Sequence, residues 1–278
     1  MDKKKPEYFS ISDKAFDFEV PYRENLQRIG EAGFTHIHLS HGWTRSEALT
    51  EEACQRLEED LHATGIQVLD VHGCHPKNTN TWSSAKEARE NAIRLLRHRL
   101  QVTKRLGGDA MVYHVPWNVE MSAHIVDLFI EGLKQVEEDA RELGLSIALE
   151  NHYRGESDRQ ALEAAFATFD ESYIGFTFDP GHALISGNTE WILSHCAPRL
   201  QILHLNDNDT RKDLHWNPYE EAGQADWSAI EDFVRKSHYR KPIQLEVQWR
   251  QDLHPTHEAF LRSARASAGR FASAVRGL

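Results

Sequence analysis

The sequence predicts an α/β protein, a single (β/α)8 TIM barrel that takes up residues 1–278. Eight short apolar segments alternate with eight helical patterns, and no segment rich in Pro, Gly or Ser divides them. Polar residues that can bind metal follow four successive apolar segments. A barrel of this type takes ~250 residues and collects the ends of its strands around one mouth, so length and pattern agree.

An open, doubly wound sheet is the alternative arrangement of the same alternation. No GxGxxG sequence follows the first apolar segment, as a dinucleotide-binding sheet of that kind would require. A closed barrel also brings the ends of four consecutive strands together around one mouth. The closed barrel is therefore the predicted fold.

The first half of the chain shows amphipathic helices that glycines bring to an end. In the first helix Leu26, Ile29 and Ala32 share one face, and Gly33 follows as the stop. Thr50 is the expected N-cap of the second helix. Strands are predicted at 8–11, 36–39, 67–71 and 110–113, and helices at 22–32, 50–63, 85–106 and 122–143.

The second half repeats the alternation with a polar insertion at 208–224, after the seventh strand. In the sixth strand Pro180 and Gly181 stop an apolar run directly after Asp179. Strands are predicted at 146–151, 174–178, 201–207 and 241–248, and helices at 158–169, 191–195, 227–236 and 257–275.

Four of these predicted strands end in a group that can bind metal. The residues are Glu150, Asp179, His204 and Glu246. Because gathered buried carboxylates demand a compensating cation or shared protons, we expect one divalent metal ion there. Oxygen-rich coordination with one nitrogen suits Mn2+ or Zn2+, with Mg2+ and Co2+ as alternatives. The competing interpretation is that both glutamates cap strands and His204 is a core histidine.

Composition narrows the class of partner and the compartment. The net charge of −11 and pI near 5.8 argue against broad nucleic-acid binding and favour a small molecule. Three scattered cysteines form no CxxC pair, which indicates neither a disulfide framework nor a thiolate zinc site. The sequence shows no signal peptide or apolar run of membrane-spanning length, so we expect a cytoplasmic protein without membrane contact. The C-terminal helix is rich in small residues and could form either part of the outer ring of helices or the contact surface of a homo-oligomer.

Three sequence motifs carry a resemblance to a known family. FTFDPGH includes Asp179 and His182, HLNDND begins at His204, and LEV contains Glu246. With Glu150 these motifs resemble the xylose-isomerase-like barrel superfamily of sugar isomerases, sugar epimerases and apurinic endonucleases. The resemblance implies that Glu150 and Glu246 both bind the metal and transfer protons, through an enediolate, on a ketose or hydroxy-ketone.

Further residues are predicted to contact the substrate. The resemblance implies this role for His182 and for Glu156, six residues after Glu150. The sequence ENHYR at the end of the fifth strand departs from the EPLNR of ketose epimerases. Those enzymes also often carry an Arg directly after an END triplet, whereas here the DND triplet is followed by Thr210 and then Arg211. The other expected contacts lie after strands or in long loops and are His72, His114, Trp117, Arg211, Asp213 and His215.

Two alternative activities remain open within the same fold. The many histidines would serve a lyase or dehydratase acting on a keto-sugar or 3-oxo-glycoside, because expelling a leaving group requires a general acid; His75 and His152 belong to this set.

The same residue types are required by a zinc-dependent apurinic endonuclease with three zinc ions. Against that reading, the texts HGCHPKN, YHVPW and DND differ from those of such nucleases. Basic residues near the predicted mouth are interspersed with acids and are Lys77, Arg154, Arg211, Lys212 and Arg250. The predicted function is a metal-dependent sugar isomerase or epimerase.

Overall fold

The structure is a computed structural model that describes residues 8–40, 49–74, 80–153 and 155–276. Three residues considered above, His75, Lys77 and Arg154, lie outside the described residues. None of the helices in the described ranges combines the length and apolar character needed to cross a membrane.

Eight parallel strands form one sheet in the order β7-β6-β5-β4-β3-β2-β1-β8. Strands β1 and β8 pair in parallel, with Ser10 opposite Gln244, and a bridge between Leu205 and Leu245 joins the β7 and β8 ends. The sheet thus closes on itself, which confirms the predicted (β/α)8 barrel. The strands are β1 Phe9–Ser12, β2 His36–Leu39, β3 Gln67–His72, β4 Ala110–His114, β5 Ser146–Glu150, β6 Ile174–Phe178, β7 Leu200–Leu203 and β8 Ile243–Leu245.

The described residues form nine α-helices outside this barrel. Apolar faces of the helices pack on the outer faces of the strands in one continuous core. The helices are α1 Tyr22–Glu31, α2 Glu51–Thr64, α3 Lys86–Arg105, α4 Ala123–Leu143, α5 Glu156–Thr168, α6 Pro180–Ser186, α7 Thr189–His195, α8 Trp227–Lys236 and α9 His257–Arg276.

Helix α6 is an element of the described structure that the sequence analysis missed. The strand does end at Phe178, but Pro180 begins a helix instead of a loop. Asp179 is its N-cap, with the carboxylate accepting a hydrogen bond from the backbone N–H of His182, and proline is favoured at the first helical position. Strands β7 and β8 are also shorter than predicted, so His204 and Glu246 stand just beyond their strands.

The interior of the barrel is divided into an apolar half and a polar half. Small apolar side chains from β4, β5 and β7 form a separate cluster of Ala110, Val112, Ala148 and Ile202. On the other side, the Ser10 hydroxyl donates to the Gln244 side chain, and His38 of β2 contacts Asp70 of β3. Barrel interiors are usually filled by branched apolar residues, so this polar half needs an explanation from the site above it.

Candidate metal centre

Four buried side chains converge at the C-terminal end of the barrel. Glu150, Asp179, His204 and Glu246 are at most 1% exposed, and each offers one ligand atom within 4.8 Å of the others. The Nδ1 atom of His204 lies 2.9 Å from Glu150 Oε1 and 3.2 Å from Glu246 Oε2. The structure therefore brings together the residues that the strand ends predicted as ligands.

The barrel itself fixes the positions of these four residues. Glu150 is the last residue of β5, opposite His114 of β4. The backbone N–H of His204 donates to Phe178 O, and that of Glu246 donates to Leu205 O. Each ligand is thus the last residue of a strand or the residue directly after one, where the rigid barrel backbone orients its side chain toward the mouth.

The carboxylate of Asp179 is held by two donors. Its Oδ1 accepts from His182 N at 2.7 Å, and its Oδ2 accepts from Asn206 Nδ2 at 2.8 Å. The side-chain amide of Asn151 pairs with both the N–H and the C=O of Asp179. Burial raises the pKa of Asp179 to about 6, although the nearby His182 opposes this shift. The aspartate is therefore fixed in place and costly to ionise without a cation.

The two glutamates are ionised despite their burial. Burial alone would raise the pKa of Glu150, but His204 and His114 hold it well below its ordinary range. The pKa of Glu246 is likewise held down, against burial, by Lys14 and His204. Paired carboxylates of this kind are available as proton acceptors or metal ligands.

Lys14 is a member of the site that the sequence analysis did not single out. It lies in a short 3-10 turn directly after β1, and its Nζ is 2.9 Å from Glu246 Oε1 and 3.2 Å from His215 Nε2. Burial disfavours its charge, but the carboxylates of Glu246 and Asp213 raise the pKa of Lys14 above its ordinary value. The sequence feature that could have identified Lys14 is its position directly after the first strand, because the C-terminal ends of all the strands of a barrel lie at the same mouth.

Three of the predicted contact residues form a chain beside Lys14. The Asp213 Oδ2 atom lies 3.1 Å from His215 Nε2 and 3.5 Å from His182 Nε2. The ring of His215 donates from Nδ1 to the backbone oxygen of Glu246 at 2.8 Å. The Asp213 side chain is 33% exposed, so the chain leads from the buried ligands toward solvent.

The insertion that carries Asp213 and His215 is anchored at both ends by one carboxylate. Asp207 Oδ1 accepts from the backbone N–H groups of Asn208, Gln224 and Ala225, and its Oδ2 accepts from Trp227 Nε1. Residues 208–224 are thereby held as a closed loop over the barrel.

Two histidines contact the second carboxylate oxygen of Glu150. His114 Nε2 lies 2.9 Å and His72 Nε2 3.3 Å from Glu150 Oε2, and the three residues form a second group within ligand distance. His152 stacks on the half-buried Trp117, with ring centroids 5.1 Å apart. These residues form an aromatic and basic wall next to the ligand cluster.

Two predicted contact residues lie away from this cluster. Glu156 is exposed in the first turn of α5 and accepts from Gln160 Nε2 at 3.5 Å. Arg211 is exposed in the insertion, where its backbone N–H donates to Asp209. Among the described residues, neither side chain contacts the four ligands, because Glu156 starts an outer helix and Arg211 stands on the surface of the insertion.

The fold and the cluster define the class first: a (β/α)8 barrel with a candidate metal centre at the C-terminal end of its strands. Residues 26–268 match the family described as "Xylose isomerase-like TIM barrel", and the chain belongs to this family. The uncharacterised protein y4fM of Sinorhizobium fredii is 26% identical over 257 residues, covering 83% of this chain and 82% of that protein.

Two solved structures share the fold. A D-tagatose 3-epimerase-like protein has a TM-score of 0.76 at 18% identity, over 97% of this chain and 98% of its own. The IolI protein, solved with a bound zinc atom, has a TM-score of 0.78 at 15% identity, over 96% of this chain and 98% of its own. At these identities the likeness establishes the barrel architecture.

Proposed function

We propose that this protein is a divalent-metal-dependent sugar isomerase or epimerase that moves a proton next to the carbonyl of a ketose or hydroxy-ketone. The observation that carries the proposal is the convergence of Glu150 and Glu246 on the same nitrogen of His204, at 2.9 and 3.2 Å. Two carboxylates that flank one buried point can remove a proton from a substrate carbon and, once one of them is protonated, return a proton to it. The epimerase-like neighbour is consistent with this chemistry.

The donor set fits a divalent ion. Three carboxylates and one imidazole are all buried, with ligand atoms within 4.8 Å of one another. So much negative charge in a buried site requires a compensating cation. Glu150, Asp179, His204 and Glu246 would hold the ion, and the zinc of the IolI structure is consistent with Zn2+ among the candidates. When bound, such an ion supplies Lewis-acid polarisation of the substrate carbonyl, which acidifies the neighbouring C–H.

The protein groups divide the remaining work. One of the two glutamates accepts the proton from the substrate carbon. In an isomerisation the carboxylic acid so formed returns that proton to the adjacent carbon; in an epimerisation the other glutamate must enter the step carrying a proton from solvent, which it delivers to the opposite face of the same carbon. Lys14, which contacts Glu246 Oε1, keeps that carboxylate ionised and adds a positive charge where the enediolate develops negative charge. His114 and His72 hold the Glu150 carboxylate from the other side. Trp117, stacked on His152, offers an apolar face to a sugar ring.

The test is solvent-hydrogen exchange into the substrate. Purified protein supplied with Mn2+, Co2+, Zn2+ or Mg2+ is incubated with a panel of ketoses and 3-keto-glycosides in D2O, and deuterium on carbon is followed by proton NMR. We expect exchange with at least one ketose, and loss of it in Glu246→Gln while that variant remains folded by circular dichroism. Full exchange in Glu246→Gln would remove the glutamate from proton transfer, and release of a leaving group would instead identify the lyase alternative.

A second candidate, a zinc-dependent apurinic endonuclease, rests on one further observation. His72 and His114 form a second ligand group with Glu150, and the Asp213 carboxylate lies 3.5 Å from His182 Nε2 and 3.1 Å from His215 Nε2. Three zinc ions would occupy such a set, whereas the isomerase requires one. Elemental analysis after zinc loading separates the two: about one ion per chain supports the isomerase, and about three with cleavage of a duplex that contains an abasic site supports the nuclease.

A further inference from the structure

The polar half of the barrel interior lies directly beneath the candidate metal centre. His38 of β2 is paired in register with Asp70 of β3, and both side chains are 0% exposed. His38 Nδ1 contacts Asp70 Oδ1, and the ring of His38 lies 4.4 Å from that of His204, centroid to centroid. Asp70 is therefore a buried carboxylate enclosed between an interior histidine and a predicted metal ligand.

The two nitrogens of His204 face different partners. Nδ1 points to Glu150 and Glu246, whereas Nε2 points down and lies 3.9 Å from Asp70 Oδ1. That distance exceeds a hydrogen bond, but in a dry interior a full charge still acts strongly over it. Among the described residues, His204 Nε2 and Asp70 Oδ2 are buried polar atoms without a hydrogen-bond partner. The nearest carboxylate oxygen to the unpartnered Nε2 is Asp70 Oδ1, which also contacts His38.

The charge of Asp70 has a definite effect on the tautomer of His204. A neutral imidazole carries one N–H, and a carboxylate beneath Nε2 favours the proton on that nitrogen. Glu150 and Glu246 oppose this preference while no cation is bound, because their oxygens lie 2.9 and 3.2 Å from Nδ1 and attract a proton there. With a divalent ion held by these carboxylates, the proton would stay on Nε2 and the lone pair would reside on Nδ1. A ligand histidine is generally held by a partner on its other nitrogen, which fixes its orientation and strengthens its bond to metal.

A merely structural role accounts poorly for this arrangement. A buried carboxylate is costly, and the opposite half of the same interior is filled by small apolar side chains such as Ala148 and Ile202. The contact with His38 compensates Asp70 but does not require it, because two apolar residues would also fill the space. His38 Nε2 in turn lies 3.9 Å from Glu246 Oε1, so the pair reaches a second predicted ligand.

We propose that Asp70, held by His38, is a positioning residue of the metal centre: its carboxylate keeps His204 in the tautomer that presents Nδ1 to the metal. This inference rests on the metal centre of the proposed function and adds two residues to it. It also explains why one side of the barrel interior is polar.

The variant Asp70→Asn tests the inference with almost no change in volume. The new amide places an N–H donor where a carboxylate oxygen had been, so it favours a bare Nε2 and a protonated Nδ1 on His204. We expect the dissociation constant for Zn2+, measured by competition with a chromophoric chelator, to rise by about 10- to 100-fold. The visible absorption bands of the Co2+-loaded protein should shift as well, which a purely structural change would not cause.

Ser10→Ala is the matched control. The Ser10 hydroxyl donates to Gln244 Oε1 at 2.9 Å, and both residues are 0% exposed in the same polar half of the interior. The control removes a buried polar contact without touching His204, so it should lower stability and leave Zn2+ affinity and the Co2+ spectrum unchanged. Equal Zn2+ affinity in Asp70→Asn and wild type would overturn the inference, as would an equal loss in both variants.

A measurement on the wild-type protein covers the case in which Asp70→Asn does not fold. In the Zn2+-loaded protein labelled with 15N-histidine, the His204 ring should carry its proton on Nε2 and none on Nδ1. A proton on Nδ1 would contradict the assigned role of Asp70. Failure of the wild type to bind any divalent ion would instead count against the proposed function itself, so the two outcomes are distinguishable.

Discussion

The Nζ atom of Lys14 lies 2.9 Å from Glu246 Oε1, so a cation that follows the first strand contacts a carboxylate that follows the last. The two residues meet because β1 and β8 pair where the barrel closes. A lysine has three N–H donors, and the contacts seen in the described structure are those to Glu246 and His215. The remaining donor of a side chain that is 31% exposed is available to a substrate oxygen.

We expect Lys14→Met to lower turnover by about 100-fold, because removing one preorganised charge at a developing oxyanion typically costs this much. Metal affinity should not fall, since the lost group is a cation that competes with the ion for Glu246. Steady-state exchange rates in D2O and a Zn2+ titration measure the two effects. Lys241→Met, which removes a surface ion pair with Asp109, is the control and should change neither. Loss of bound metal in Lys14→Met would show that the lysine supports the fold of the site and not the reaction.

Chelation should destabilise the whole barrel. Without a cation, three buried carboxylates face one another at the strand ends, and binding of an ion to the folded state alone stabilises it by mass action. At an ion concentration about 100 times the dissociation constant this amounts to about 2.7 kcal/mol. Thermal unfolding with EDTA and after addition of Mn2+ or Zn2+ measures the difference. Asp179→Ala should abolish the metal-dependent shift, and a shift of full size in that variant would assign the ion to another site.

A surface cluster far from the mouth gives a defined pH dependence. Hydrogen bonds from Ser172 and then from Arg141 lower the pKa of Asp170 from 3.8 to about 2. Because the folded value is depressed, the stabilisation is complete above pH 3.8 and is lost as the pH falls toward 2. We therefore expect Asp170→Asn to be less stable than wild type in urea at pH 7, and the two curves to converge near pH 2. A difference that persists unchanged at pH 2 would mean that contacts other than the charge are responsible.

The sequence predicted the barrel and the four ligands because both depend on local patterns. Short apolar segments that alternate with helical patterns identified the strands. In a barrel the residue at the C-terminal end of each strand, such as Glu150, lies at the mouth, so its position follows from the strand assignment alone. The sequence did not predict a role for His38 and Asp70, because they lie within strands. There the alternation of side chains does not by itself show which residues point into the barrel. Lys14 escaped for a different reason: its partner is more than 230 residues away along the chain, and only the closure of β1 on β8 brings them together.

The motif DPGH was predicted to end a strand, but the helix that begins within it was not predicted. The strand does end before Pro180 and Gly181, as the sequence predicts, and Gly181 in addition lies in the first turn of α6. A Cβ atom at Gly181 would collide with the side chain of Asn206 and would lie 2.9 Å from Asn208 Nδ2. Asn206 is the residue that donates to Asp179 Oδ2, so the absence of a side chain at position 181 allows that support to exist.

We therefore expect Gly181→Ala to displace Asn206 and to weaken Zn2+ binding by about 10- to 100-fold, as loss of a ligand's supporting hydrogen bond generally does. Gly187→Ala is the matched control at the other end of α6. Gly187 has a φ of 69° with open space around its Cβ position, so alanine there should cost about 1–2 kcal/mol of unfolding free energy through backbone strain alone. Urea unfolding and chelator competition on both variants separate the effects, because Gly187→Ala should lose stability and keep its Zn2+ affinity. If Gly181→Ala also kept its affinity, Asn206 would have to be assigned to holding the insertion and not to supporting Asp179.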